Sequence, residues 1–153
     1  MRYLIPFLLL MYGNAVADFQ VEFGPTHLST DWSDGSMIVF NERWDKWLVG
    51  MGHVSKQKVL PRWEKRHGYP EVEIDRNLFF HGQRLLKWRK FELGIGAAFF
   101  QNMNRALGKN IVVSSSLSYH FNNDFSINYR HFSNAGSGTP NMGQDAITLG
   151  WTF

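Results

Sequence analysis

The sequence predicts an all-β fold: an eight-stranded antiparallel transmembrane β-barrel of a bacterial outer membrane over residues 18–153, preceded by a cleavable signal peptide over residues 1–17. Three observations predict it. Apolar and polar residues alternate with period 2 in one segment after another, and no mature stretch reaches the ~18 apolar residues of a membrane helix. Aromatic residues make 16% of the chain (6 Trp, 13 Phe, 5 Tyr), yet mean hydropathy is −0.28; a wall with one face towards lipid and one inward combines those values. The chain ends on Phe153, with Trp151, Leu149 and Ile147 at every second position before it, similar to the C-terminal signal by which outer-membrane barrels are assembled.

The start of the chain has the parts of an export signal. Arg2 is followed by an apolar run from Tyr3 to Tyr12, and Ala15-Val16-Ala17 gives the small-x-small pattern of a cleavage site. The mature chain then begins at Asp18. There is no cysteine, so an exported chain of this size has no disulfide to lean on. Net charge is +3, and +2 once Arg2 is removed, which is too weak and too scattered to argue for nucleic acid.

In chain order, Phe19, Val21 and Phe23 alternate with Gln20 and Glu22 in a first strand, expected to stop before Pro25. Met37–Arg43 makes a second strand. Trp47, Val49 and Met51 mark a third, and a fourth falls within Glu71–Gly82. Phe91, Leu93, Ile95, Ala97 and Phe99 form one face of the fifth. Ile111, Val113, Leu117, Tyr119 and Phe121 form one face of the sixth, with Ser115 breaking the apolar row. Phe125, Ile127 and Tyr129 open the seventh against Ser126, Asn128 and Arg130, and Ile147–Phe153 close the eighth. Long connections (24–36, 54–70, 100–110, 134–144) alternate with short ones (41–46, 83–87, 122–124), as in barrels with tight periplasmic turns and long outer loops. A soluble barrel with its large residues inside is the alternative, and it requires a polar outer face.

One stretch concentrates chemistry. His131, Ser133 and Asp145 fall within fifteen residues, around a Gly/Pro/Asn-rich loop. Strand parity puts all three on the face of the large apolar residues, His131 and Ser133 about 6.7 Å apart along one strand, and Asp145 at the start of the next. A serine hydroxyl needs a base within hydrogen-bond reach to act as nucleophile, and a carboxylate on the second ring nitrogen fixes the imidazole tautomer. Spacing of this kind also fits interfacial polar residues and a loop-end cap. Ionisable groups facing lipid are costly, however, which favours function. Arg130 points inward in the same register and reads as lumenal charge.

His131-Phe132-Ser133-Asn134-Ala135-Gly136, followed by Pro140-Asn141-x-Gly143-x-Asp145, resembles the signature of the PagL-type lipid A 3-O-deacylases: His-x-Ser-Asn-Ala, a short variable stretch, Pro-Asn-x-Gly, then a glutamate. The motif spans about fifteen residues; signal peptide, strand count and C-terminal Phe agree more loosely. The resemblance implies an eight-stranded barrel that hydrolyses the ester-linked 3-O-acyl chain of lipid A with an outward-facing triad. Ser133 would be the nucleophile, His131 the base, and Asn134 with the amides of Ala135 and Gly136 the oxyanion stabilisers, supported by Asn141. Asp145 stands where the family has glutamate, which draws the carboxylate back by one methylene, about 1.5 Å; its loss should hurt less than loss of Ser133.

The partner implied is lipid A or lipopolysaccharide in the outer leaflet, without metal or cofactor, and homodimer formation is left open. His27, His53, His67, His81 and His120 lack metal-ligand spacing. Lys56, Lys58, Arg62, Lys65 and Arg66, in one loop with Trp63, could pair with lipid A phosphates or make a solvated basic loop. A non-catalytic structural or adhesive barrel, and a phospholipid-acting hydrolase of the same membrane, are the alternative functions.

Overall fold

The computed structural model describes residues 18–29, 33–58, 73–104, 106–138 and 141–153. Eight strands close into an antiparallel barrel: β1 (Asp18–Leu28), β2 (Gly35–Trp44), β3 (Trp47–Val54), β6 (Asn77–Trp88), β7 (Phe91–Asn104), β8 (Lys109–His120), β9 (Phe125–Ser133) and β10 (Gln144–Thr152), with β10 returning to pair with β1. Between β3 and β6, β4 (Gln57–Lys58) and β5 (Glu73–Ile74) form a separate two-stranded ribbon. The expected signal peptide, residues 1–17, lies outside the described residues.

Period 2 decides which side each residue faces. Phe23, Phe40, Phe80, Ile95, Ile111, Leu149 and Trp151 stand on the outer wall, each about half exposed or more. Their neighbours Glu22, Asn41, Gln83, Ser114, Asn128, Arg130 and Thr148 are buried in the lumen. That is the inverse of a soluble barrel. A lipid-facing wall makes the pattern favourable, because the apolar surface meets hydrocarbon and the polar groups are gathered inside, where most of them find hydrogen-bond partners. Glu22 is held by Arg130 at 2.6 and 2.8 Å, Thr148 at 2.8 Å and Asn41 at 2.7 Å. Above this network Met37, Val39, Phe79, Phe100, Leu107, Phe132 and Ala146 form an apolar layer, and Phe132 packs against Phe79 and Phe100 with ring centroids 5.1 and 5.4 Å apart. Side chains fill the interior, as the small circumference of eight strands requires.

The short connections are tighter than the alternation alone suggested. Asp45–Lys46 and Arg89–Lys90 are two-residue turns, and Asp45 and Arg89 take the positive φ (48° and 55°) that such turns need. Trp44 pairs with Trp47, and Trp88 with Phe91, beside those turns. With Phe125, Trp151 and Phe153 they make an aromatic girdle at the turn end.

Two boundaries differ from expectation. The segment 83–87 is not a turn but the second half of β6: Gln83 and Leu85 are buried, while Arg84 lies outside over the Trp47 ring at 5.2 Å. Long basic side chains such as Arg84 and Lys87 suit a strand end at a membrane interface. Likewise β1 does not stop at Pro25. Pro25 has no N–H to donate, so the β1–β10 ladder omits Gly24 and Pro25, then resumes in unchanged register from Thr26↔Ala146 to Leu28↔Gln144. This continuation brings His27 and the following Ser29 to the site.

Candidate active site on the outer wall

Strand register assembles the site. Asp145 lies opposite His131 on β9 and opposite His27 on β1, and Ser115 lies opposite His131 on β8. A polar row thus crosses four adjacent strands of a wall otherwise lined by Leu117, Tyr129, Ile147 and Phe23. Ser133, two residues beyond His131, shares its face, while Phe132 between them is fully buried in the lumen. Ser133 lies eight residues along β9 from Phe125 at the girdle end. At about 3.3 Å per residue and a strand tilt of about 40°, that lifts the hydroxyl about 20 Å, towards the outer edge of an apolar band about 25 Å tall.

The carboxylate and the imidazole meet. His131 Nδ1 lies 2.7 Å from Asp145 Oδ1, a contact of the kind that orients an imidazole and selects its tautomer. Asp145 is only 4% exposed although it stands on the outer face, because its neighbours cover it. The Tyr129 hydroxyl donates to Oδ1 at 2.8 Å, Ser29 Oγ donates to Oδ2 at 2.6 Å, and His27 Nε2 stands 3.8 Å from Oδ2. The one-methylene shortening against glutamate therefore does not stop the aspartate from reaching the imidazole. His131 and Ser133 share a face without being hydrogen-bonded to each other among the described residues; the Ser133 Oγ accepts the Ala135 amide at 3.3 Å.

The loop after β9 is bolted to the β7–β8 turn. The Asn134 side chain, buried, donates to the carbonyls of Leu107 (2.8 Å) and Gly138 (2.9 Å), and its Oδ1 accepts the Gly136 amide at 3.0 Å. Its own N–H donates to Asn141 Oδ1 at 3.1 Å, and Met142 N donates to Ala106 O at 2.8 Å. These bonds make Asn134 and Asn141 props for the loop, and they engage two of the donors expected to face an oxyanion, the Asn134 side-chain amide and the Gly136 amide. Ala135 takes φ 53° and Gly136 φ 74°, the left-handed turn that aims the Ala135 amide back at Ser133. For a residue with a Cβ that conformation costs roughly 1–2 kcal/mol.

Of the expected phosphate-binding residues, Lys56 is paired with Glu73 at 2.6 Å, which raises the lysine pKa and lowers the glutamate's through that hydrogen bond. The Lys58 amide donates to Asp34 Oδ1 at 2.7 Å. Arg62, Lys65 and Arg66 lie outside the described residues, as does Pro140 of the motif. Sequence reasoning passed over Ser29, His27 and Tyr129. Tyr129 was readable, being two residues before His131 on the same face. Ser29 and His27 were not, because only barrel closure brings β1 beside β10.

Comparison with known proteins gives both a family and a fold. The family model described as lipid A 3-O-deacylase (PagL) matches residues 27–153, which includes all three motif residues. No curated protein sequence matches the chain. Among solved structures, the outer membrane protein Ail of Yersinia pestis, in a phospholipid bilayer nanodisc, is similar with a TM-score of 0.52 at 10% identity, over 90% of this chain and 99% of that one. The outer membrane enzyme PagL aligns with a TM-score of 0.49 at 15% identity (89% and 98% of the two chains), and neisserial surface protein A with 0.45 at 11% (89% and 95%). At such identities the likeness to Ail speaks for the fold alone. Family and fold together put the chain in the bacterial outer membrane.

Proposed function

For a chain that belongs to the lipid A 3-O-deacylase (PagL) family, we propose that it is an active serine esterase, removing the 3-O-linked acyl chain of lipid A from the outer-leaflet side of its own wall. The observation that carries this is the 2.7 Å contact between His131 Nδ1 and Asp145 Oδ1 on the lipid-facing surface, with Ser133 on the same face. A carboxylate and an imidazole embedded among apolar side chains have no evident use in stabilising the barrel, since the wall would sit more comfortably in lipid without them.

In this reading the substrate approaches sideways from the membrane and never enters the filled lumen. His131 Nε2 takes the proton from Ser133 Oγ as the oxygen attacks the ester carbonyl. The negative charge that develops on the carbonyl oxygen is met by the Ala135 amide, the donor nearest the Ser133 hydroxyl, and His131 charge is balanced by Asp145. Collapse of the tetrahedral intermediate breaks the acyl–oxygen bond, His131 returns its proton to the departing sugar hydroxyl, and the fatty acyl group stays on Ser133. Water, activated by the same histidine, then releases the fatty acid. Asn134 and Asn141 act here as supports of the loop. Lys58, Arg62, Lys65 and Arg66 are assigned to the substrate's phosphates, with Lys56 a weaker candidate because Glu73 already partners it.

Mass spectrometry of lipid A from cells producing wild type or Ser133→Ala protein tests the proposal. Loss of one 3-hydroxyacyl chain with wild type alone is expected. Unchanged lipid A accompanied by fatty acid released from phospholipid would point to a different lipid substrate, and no change in either would leave a non-catalytic barrel.

A further inference from the structure

We propose that Ser29 and Tyr129 are positioning residues, forming a two-hydroxyl clamp that holds the Asp145 carboxylate against His131 and lets an aspartate do the work of a glutamate. The inference rests on the triad reading above and adds to it the two groups that control its acid.

Asp145 receives three donors, from both of the strands that flank it. His131 Nδ1 (2.7 Å) and the Tyr129 hydroxyl (2.8 Å), both from β9, share Oδ1; the Ser29 hydroxyl, just beyond the end of β1, takes Oδ2 at 2.6 Å. With both oxygens tied, rotation about χ2 would break these bonds, so Oδ1 stays turned towards the imidazole. Because this carboxylate is almost wholly covered on a wall meant for hydrocarbon, unsatisfied lone pairs there would be costly. The two hydroxyls satisfy them without adding charge.

The slot for Ser29 is built into the backbone. Gly143 has φ +65°, and a Cβ on it would stand 2.2 Å from Ser29 Oγ and 3.3 Å from His131 Cε1. Only glycine leaves that space. The Ser29 amide donates to the Gly143 carbonyl at 3.3 Å, so the serine is fixed to the residue that leads into the strand whose acid it holds. The clamp also fits the length of the acid. A glutamate at this position would push its carboxylate about 1.5 Å further, into the space that the two hydroxyls fill.

The test uses the full-length barrel in detergent with purified lipopolysaccharide, folding being checked by the heat-dependent shift in electrophoretic mobility. Ser29→Ala and Tyr129→Phe should each lower kcat about tenfold, the scale of one hydrogen bond acting through a positioned base, with KM within about twofold. Ser29→Thr, which keeps the hydroxyl, should recover most of the lost kcat. Asp145→Glu should lose activity in the wild-type background and regain part of it with Ser29→Gly, which vacates the slot. Wild-type kcat in both Ser29→Ala and Tyr129→Phe, or a loss in Ser29→Thr equal to that in Ser29→Ala, would overturn the clamp. Those results with Ser133→Ala and His131→Ala inactive would remove the clamp and spare the triad. Full activity in Ser133→Ala would remove both.

Discussion

Two carboxylates in this barrel, Glu22 and Asp145, are both nearly inaccessible, and both sit where β9, β10 and β1 run side by side. Their partners are consecutive in sequence: Arg130 faces the lumen and holds Glu22, and His131 faces outward and holds Asp145. One step along a strand changes the role. Glu22 meets a permanent cation, bidentate at 2.6 and 2.8 Å, with Thr148 and Asn41 completing its shell. Such a pair has a fixed charge, because a guanidinium does not give up its proton. Asp145 meets two neutral hydroxyls and a histidine whose second nitrogen remains available, the arrangement that can take and return a proton. Alternation in a barrel thus places an acid paired with a permanent cation and an acid paired with a titratable imidazole on opposite faces of a single wall.

That contrast can be broken from either side. The largest effect is expected from Ser133→Ala: at least a thousandfold loss of lipid A deacylation, with thermal stability of the barrel unchanged. Asp145→Asn should follow, with about a hundredfold or greater loss of kcat, again without unfolding, since the amide can still accept one hydroxyl but misdirects the imidazole. The lumenal pair should behave in the opposite sense. Removing one partner, as in Glu22→Ala, strands a buried charge and should destabilise the barrel by about 3–5 kcal/mol in denaturant titration, while the folded fraction keeps turnover within about twofold. Phe132→Ala, which opens the apolar layer directly behind the site, should cost about 3–5 kcal/mol as well. It sharpens the comparison, because a loss of kcat beyond the folded fraction would show that the lumen supports the outer wall. Smallest of all, Lys56→Gln, just before the two-stranded ribbon, should leave stability unchanged and alter only KM for phosphorylated lipid A.

Much of this was legible in the sequence because a strand's period is 2 and its faces follow from parity alone. The outward row Phe91, Leu93, Ile95, Ala97 and Phe99 and the inward Ser114, Ser116 and Ser118 lie as the alternation required. So do Arg130 inside and His131 outside. What could not be read depended on pairing between distant segments. Ser29 and Asp145 are separated by 116 positions, and their contact exists only because the first and last strands close the barrel. Pro25 hid it further by looking like the end of β1. The Asn134 side chain was legible as a motif member, but its donors turn towards Leu107 and Gly138, a choice made by the position of the β7–β8 turn above it.

The central claim is that Ser133 is activated from the lipid-facing side by the histidine two residues before it. Treating the folded barrel with a long-chain fluorophosphonate in detergent, then mapping the adduct by peptide mass spectrometry, measures that directly. The account predicts a single adduct on Ser133, lost in His131→Ala and strongly slowed in Asp145→Asn. An unmodified Ser133, or labelling at an equal rate without His131, would contradict it.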